Sequence, residues 1–118
     1  MTPSQTFLAA MTAMASGDEV AVAAFYSEES RYWDPLSGAL AGAAVAPYLA
    51  SIGRQLDDLT VRLEHVVEDE STACIEWVQH SASAGGRHLL RGATFVTVRG
   101  TVLVEQRDYF DYRSSLAS

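Results

Sequence analysis

Apolar positions in the first half of the chain recur at helical spacing, and from Leu59 onward the period switches from 3.6 to 2. Phe7, Leu8, Met11, Met14 and Ala15 form the first helical stripe. Ahead of them, Thr2-Pro3-Ser4-Gln5 reads as a capping box, with Thr2 as N-cap, Pro3 at the first helical position and Gln5 reaching back. Gly17 supplies a stop, and Asp18 can cap a second short helix through Val22 and Phe25. Residues 30–34 are too few and too aromatic for a helix and predict a brief strand, ended by the turn residues Asp34-Pro35-Leu36-Ser37-Gly38. A third helix follows Gly42, with Val45, Tyr48, Leu49, Ile52 and Leu56 on one stripe and Pro47 in its first turn, where proline is tolerated.

The alternating half predicts four long strands, 59–69, 72–83, 87–99 and 101–112. Glu70-Ser71, Gly85-Gly86 and Arg99-Gly100 are short enough to be the hairpin turns between them. Helices first and a meander afterwards is an α+β layout, with three helices on one face of a curved, mostly antiparallel sheet. The 118 residues make one domain, 1–118.

Strand faces carry the chemistry. In the last strand Val102, Val104, Gln106, Asp108, Phe110 and Tyr112 share the more apolar face, which puts Asp108 among hydrophobic neighbours, where an unpaired carboxylate is costly. The same test turns Val61, Leu63, His65 and Val67 inward, with Arg62, Glu64 and Glu68 outward, and on the next strand Ile75, Trp77 and Gln79 inward. The inward polar set is Tyr32, Asp34, His65, Gln79 and Asp108, more than packing needs and the usual form of a small-molecule pocket. Trp77, Gln79, His65, Phe95, Phe110 and Leu63 are the candidate lining. Asp34 could equally hold its turn as an Asx motif, and Asp108 could be a structural carboxylate.

Composition narrows the partners. A net charge of −7, with every basic residue an arginine and no basic run, argues against nucleic acid and against an anionic membrane surface. No run approaches the roughly 20 apolar residues of a membrane span, and the start does not read as a signal peptide. Cys74 is the single cysteine, so no intrachain disulfide can form, and a reduced cytoplasm is the expected setting. His65, His80 and His88 lack metal-ligand spacing and no glycine-rich phosphate loop is present, so neither a metal nor a cofactor is expected.

Helices followed by Tyr32-Trp33-Asp34-Pro35-Leu36-Ser37-Gly38, a four-strand meander and a final Val104-Glu105-Gln106-Arg107-Asp108-Tyr109-Phe110-Asp111 resemble the nuclear transport factor 2-like superfamily, in its SnoaL-like polyketide cyclase and limonene-1,2-epoxide hydrolase branch. The resemblance covers roughly residues 5–112 and implies a cone-like α+β barrel with a hydrophobic pocket in its mouth. It also implies roles. The water-positioning tyrosine, asparagine and aspartate of the epoxide hydrolase match Tyr32, Asp34 and Asp108, whereas its arginine and second aspartate fall on Trp77 and Gln79. The acid/base aspartate of SnoaL-type cyclases matches Asp108, and their assisting histidine falls near Phe95. The base of ketosteroid isomerase matches Asp34, and its oxyanion donors fall near Ala10 and Ala93.

What survives the three comparisons is a pair of inward aspartates, Asp34 and Asp108, with Tyr32 beside them, which makes a cofactor-free cyclase, isomerase or hydrolase acting on a small apolar molecule the first expectation. A non-catalytic binding or accessory protein with the same pocket is the alternative, and a protein-interaction module the third. Val66, Val78, Val96, Val98 and Leu103, read as outward-facing, point to a homodimer through the outer face of the sheet.

Overall fold

The capping box forms: Thr2 Oγ1 accepts from the Gln5 amide, Gln5 Oε1 accepts from the Thr2 amide, and α1 runs Pro3–Ser16. Gly17 ends it in the left-handed conformation at φ 71°. Asp18 caps α2 (Glu19–Ala23), which stops before Phe25 although Phe25 still packs against the core. The structure, a computed structural model, describes residues 1–111.

After β1 (Arg31–Asp34) the chain turns back at Gly38 into a strand that the pattern did not predict, β2 (Gly38–Ala41), pairing Tyr32 with Leu40 and Trp33 with Ala39. Gly-Ala-Leu-Ala is too short and too uniform to show alternation. A 3₁₀ turn (Gly42–Ala44) leads into α3 (Val45–Gln55). The meander follows as β3 (Asp57–Glu68), β4 (Thr72–Ser83), β5 (Gly86–Arg99) and β6 (Val102–Phe110), close to the predicted bounds. Tyr112, read as the last inward residue, lies outside the described residues.

The six strands are ordered β2-β1-β6-β5-β4-β3 in a curved sheet that does not close. All pairs are antiparallel except β1 with β6, where Arg31–Trp33 run beside Glu105–Arg107. The helices cover the concave face, burying Phe7, Met11, Met14, Leu49 and Ile75 in one core. Ser4 at the start of α1 donates through its amide and its hydroxyl to the two Glu68 carboxylate oxygens at 2.9 Å, tying that helix to the end of β3.

Two irregularities overturn parts of the alternation. The register shifts between Leu63 and His65, so Leu63 faces Trp77 while His65 faces Glu76 and Val67 faces Cys74. One extra residue exchanges the faces of a strand. His65 therefore lies on the outer surface, its side chain 79% exposed and 2.7 Å from Glu76, and Val67 is 77% exposed. A second shift, between Thr97 and Val98, pairs Val98 with Leu103 and buries Leu103 in place of Val104.

The faces of β5 are also the reverse of those expected. Thr94, Val96 and Val98 point inward and are buried, and Phe95 stands on the outer face, 45% exposed beneath the Arg107 guanidinium. Val96, Val98 and Leu103 are thus core residues and not an outer apolar patch, and Val78 is buried between its register partners Arg62 and Arg91.

Candidate active site

The concave face of the sheet and the helices enclose a cavity of ≈ 470 Å³. Its walls are largely apolar, supplied by Phe7, Met11, Leu49, Val61, Leu90 and Phe110 among others, and one end is polar, where Tyr32, Asp34, Tyr48 and Asp108 converge.

Asp34 ends β1 and does two jobs. Its Oδ1 accepts from the Leu36 and Ser37 amides at 2.8 and 2.7 Å, the Asx motif that shapes the turn. Its Oδ2 accepts from the Tyr32 and Tyr48 hydroxyls at 2.6 and 2.7 Å. Burial by itself pushes this carboxyl up. The hydrogen bonds from Tyr32, the Ser37 amide, Tyr48 and the Leu36 amide outweigh that, and it lies below the ordinary carboxylate range. Asp34 is therefore an anion at neutral pH although only 1% of its surface is exposed.

Asp108, on β6, sits in a different balance. Burial is the largest influence and pushes its carboxyl up to about 6; hydrogen bonds from Thr94, Tyr32 and Gln106 oppose the shift, and the charge of Asp34 adds to it. Directions in its network are fixed by chemistry. The Trp77 indole can only donate, and does so to Thr94 Oγ1 at 2.8 Å, so the Thr94 hydroxyl donates onward to Asp108 Oδ1 at 2.8 Å. The Tyr26 hydroxyl donates to Gln106 Oε1 at 2.6 Å, which turns the Gln106 amide nitrogen toward Asp108 Oδ1 at 3.1 Å. Asp108 Oδ2 meets Tyr32 Oη at 2.8 Å.

Tyr32 has one proton and two carboxylate neighbours. Both contacts are hydrogen bonds when Asp108 is protonated on Oδ2 and donates to Tyr32, which donates to Asp34. Burial and the two carboxylates hold the Tyr32 hydroxyl well above its ordinary range, and burial with the Asp34 hydrogen bond does the same for Tyr48. Both remain donors. The arrangement is an ionised carboxylate and a carboxyl that titrates near neutrality, joined through a single hydroxyl.

Residues 7–106 match the SnoaL-like domain family. The chain belongs to that family. None of the curated proteins matches it. Among solved structures this SnoaL-like domain is similar to a hypothetical protein with a ketosteroid isomerase-like fold from Catenulispora acidiphila, in complex with trimethylamine (TM-score 0.83, 20% identity, covering 99% of this chain and 92% of that one). It is also similar to a SnoaL-like polyketide cyclase candidate from Shewanella denitrificans (0.82, 17%, 98% and 96%). A third is an LEH-like epoxide hydrolase from M. tuberculosis (0.78, 17%, 96% and 85%). At such identities these likenesses establish the nuclear transport factor 2-like fold.

Of the residues singled out from the sequence of this SnoaL-like domain, Tyr32, Asp34, Trp77, Gln79, Asp108 and Phe110 line the cavity. Leu63 packs against the core without lining it, and His65 and Phe95 are on the opposite face of the sheet. Sequence reasoning missed Tyr48 and Thr94 and gave Gln106 no part. In the sequence Tyr48 shows only as part of an apolar helical stripe. The signal for Thr94 was its register opposite Asp108, which the reversed faces of β5 concealed. Among the described residues no group of His, Cys, Asp and Glu could hold a metal ion, and no helix is long and apolar enough to cross a membrane.

Proposed function

We propose that this SnoaL-like domain is a cofactor-free acid/base enzyme, of cyclase, isomerase or epoxide-hydrolase type, acting on a small and mostly apolar molecule. One observation carries the reading: Asp108 is a buried carboxyl at a cavity wall with no cationic partner, held near a pKa of about 6 beside an ionised Asp34. No arginine neutralises it: Arg107, its neighbour in sequence, pairs with Glu105, and Arg91 pairs with Glu64.

In its ionised form Asp108 takes a proton from a carbon acid or a water, breaking the C–H or O–H bond and holding the proton on Oδ2. The oxygen that gains charge in the substrate is held by the Tyr32 and Tyr48 hydroxyls, each of which turns its single proton from Asp34 to that oxygen. Asp34 stays an anion and acts through those hydroxyls, aiming them. Asp108 then returns the proton to the carbon or oxygen that receives it, so the cycle needs no oxidant or cofactor.

The test is a carboxyl NMR titration assigned with Asp34→Asn and Asp108→Asn, followed by turnover assays on epoxides and polyketide-like ketones. Asp108 is expected to titrate near 6, and Asp108→Asn to slow turnover by on the order of 100-fold or more. An Asp108 that titrates near 4 overturns the reading. It would leave a binding protein, the alternative favoured by the fact that each oxygen of Asp34 and Asp108 already has a hydrogen-bond partner.

We also propose a homodimer through the outer face of the sheet. Trp33, Tyr109 and Phe95 stack there in sequence, with centroids 5.2 and 6.0 Å apart, and Val67 and Cys74 extend the row. The same face interleaves Arg31, Arg62, Arg91 and Arg107 with Glu64, Glu76 and Glu105, so it is close to neutral on a chain of charge −7. A second copy can therefore approach this face without the repulsion it meets elsewhere.

A further inference from the structure

Five polar side chains that line the cavity take no part in the acid/base cluster, Ser51, Gln55, Gln79, Ser81 and His88, and two of them share one strand face. Gln79 and Ser81 are successive inward residues of β4, and both line the cavity. The register neighbours of Gln79 are the apolar Val61 and Leu90, which line it too. Among the described residues neither side chain makes a hydrogen bond, and no fully buried polar side-chain atom lacks a partner, so theirs open onto the cavity space. Once an apolar ligand displaces water there, an amide and a hydroxyl without partners are costly, unless the ligand supplies the partner itself.

The separation of the two polar regions is set by the sheet. Asp108 pairs with Thr94, and Gln79 pairs with Leu90, four positions earlier on β5. That is roughly 13 Å of strand. Trp77 and Gly92 form the register pair between them, and Trp77 with Phe110 makes the intervening wall apolar. The chain has no lysine and no described arginine lines the cavity, so no permanently cationic side chain there compensates an anionic ligand, His88 being the one lining residue that can become a cation by gaining a proton.

We propose that the cavity takes an elongated, uncharged molecule with an oxygen function at each end. The reacting carbonyl or epoxide lies against Asp108, Tyr32 and Tyr48, which rests on the reading of that end given above. The distal group is a hydroxyl, which the Gln79 amide serves both as donor and as acceptor, with Ser81 beside it. Gln79 and Ser81 are thus specificity residues for the far end of the substrate.

A matched pair of probes tests this by calorimetry on the intact protein: 4-phenylcyclohexanone and 4-(4-hydroxyphenyl)cyclohexanone, identical except for a hydroxyl at the end remote from the ketone. The native protein is expected to bind the hydroxylated ketone about tenfold more tightly, the worth of one satisfied hydrogen bond. Gln79→Leu is expected to abolish that preference while leaving 4-phenylcyclohexanone bound as well or better, and Ser81→Ala, a smaller change made separately, to reduce it. Equal binding of the two ketones by the native protein, a preference that survives both substitutions, or no binding of either ketone overturns the proposal. Failure of the acid/base reading would show elsewhere, as an Asp108 that titrates near 4, with the preference intact.

Discussion

The indole of Trp77 occupies the space that a Cβ on Gly92 would fill, the register partner directly across from it: an added methyl would overlap ring atoms Cζ2 and Cη2. Only a glycine lets the ring lie where its Nε1 reaches Thr94, and through Thr94 the carboxyl of Asp108. Gly92→Ala is therefore expected to cost about 1–3 kcal/mol by overpacking. It should also raise the Asp108 pKa, because the Thr94 hydrogen bond holds it down. Tryptophan emission and the carboxyl titration read the two effects separately, and an unchanged Asp108 would break the link.

Asp108 makes stability depend on pH in an unusual direction. Its folded-state pKa of about 6 exceeds the ordinary carboxylate value, so between about 4 and about 6 the folded chain binds more protons than the unfolded one. The contribution is fully present below that window and is lost as pH rises through it, on the order of 2–3 kcal/mol in all. Denaturant titrations at about pH 4.5 and about pH 8 should show it in the native protein and not in Asp108→Asn, which should be the more stable of the two at the higher pH.

Tyr32→Phe removes the one hydroxyl that both carboxylates contact, and with it a single proton that either of them can accept. Since its hydrogen bond lowers each of them, both are expected to titrate higher in the variant, Asp34 moving toward the ordinary range and Asp108 further above it. A carboxyl titration checks this, and a shift confined to one aspartate would mean that the hydroxyl does not bridge them.

Gly53 of α3 lies against the Met14 carbonyl of α1, with which an added Cβ would overlap. Gly53→Ala is expected to push the helices apart and to lower stability by about 1–3 kcal/mol, read as a fall in Tm. Because α1 and α3 both line the cavity, ligand affinity should fall with it.

The dimer is tested by sedimentation. Phe95→Glu and Tyr109→Glu place a charge in the aromatic row of the outer face, Phe95 and Tyr109 being 45% and 43% exposed. A native dimer that becomes a monomer in either variant supports the interface, and a native monomer excludes it.

Much of this was legible in the chain because local chemistry and tertiary structure agree there. The Thr2–Gln5 box, the Gly17 stop and the period change after the third helix are signals within a few residues, and Tyr32, Asp34 and Asp108 do converge. What failed depends on a count of residues along a strand. His65 was read inward because alternation carries straight through Glu64, and the extra residue at that point is visible only once β4 is beside it. Phe95 enters the candidate lining beside the position of the assisting histidine of SnoaL-type cyclases, and nothing in the pattern singles out Thr94. Thr94 is inside because Trp77 and Asp108 each need its hydroxyl, a reason that exists only after three strands have met.

The two halves of the acid/base cluster belong to parts of the chain that meet late in sequence: the Tyr32–Asp108 bond spans 76 positions, and β1 and β6 are held together by the parallel pair in the sheet. Detachment of β6 alone would dismantle the cluster while leaving the β3–β4–β5 meander folded. The lifetime of the competent site is thus the residence time of one strand, and amide hydrogen exchange along Glu105–Arg107, beside Arg31–Trp33, is the clock that reports it.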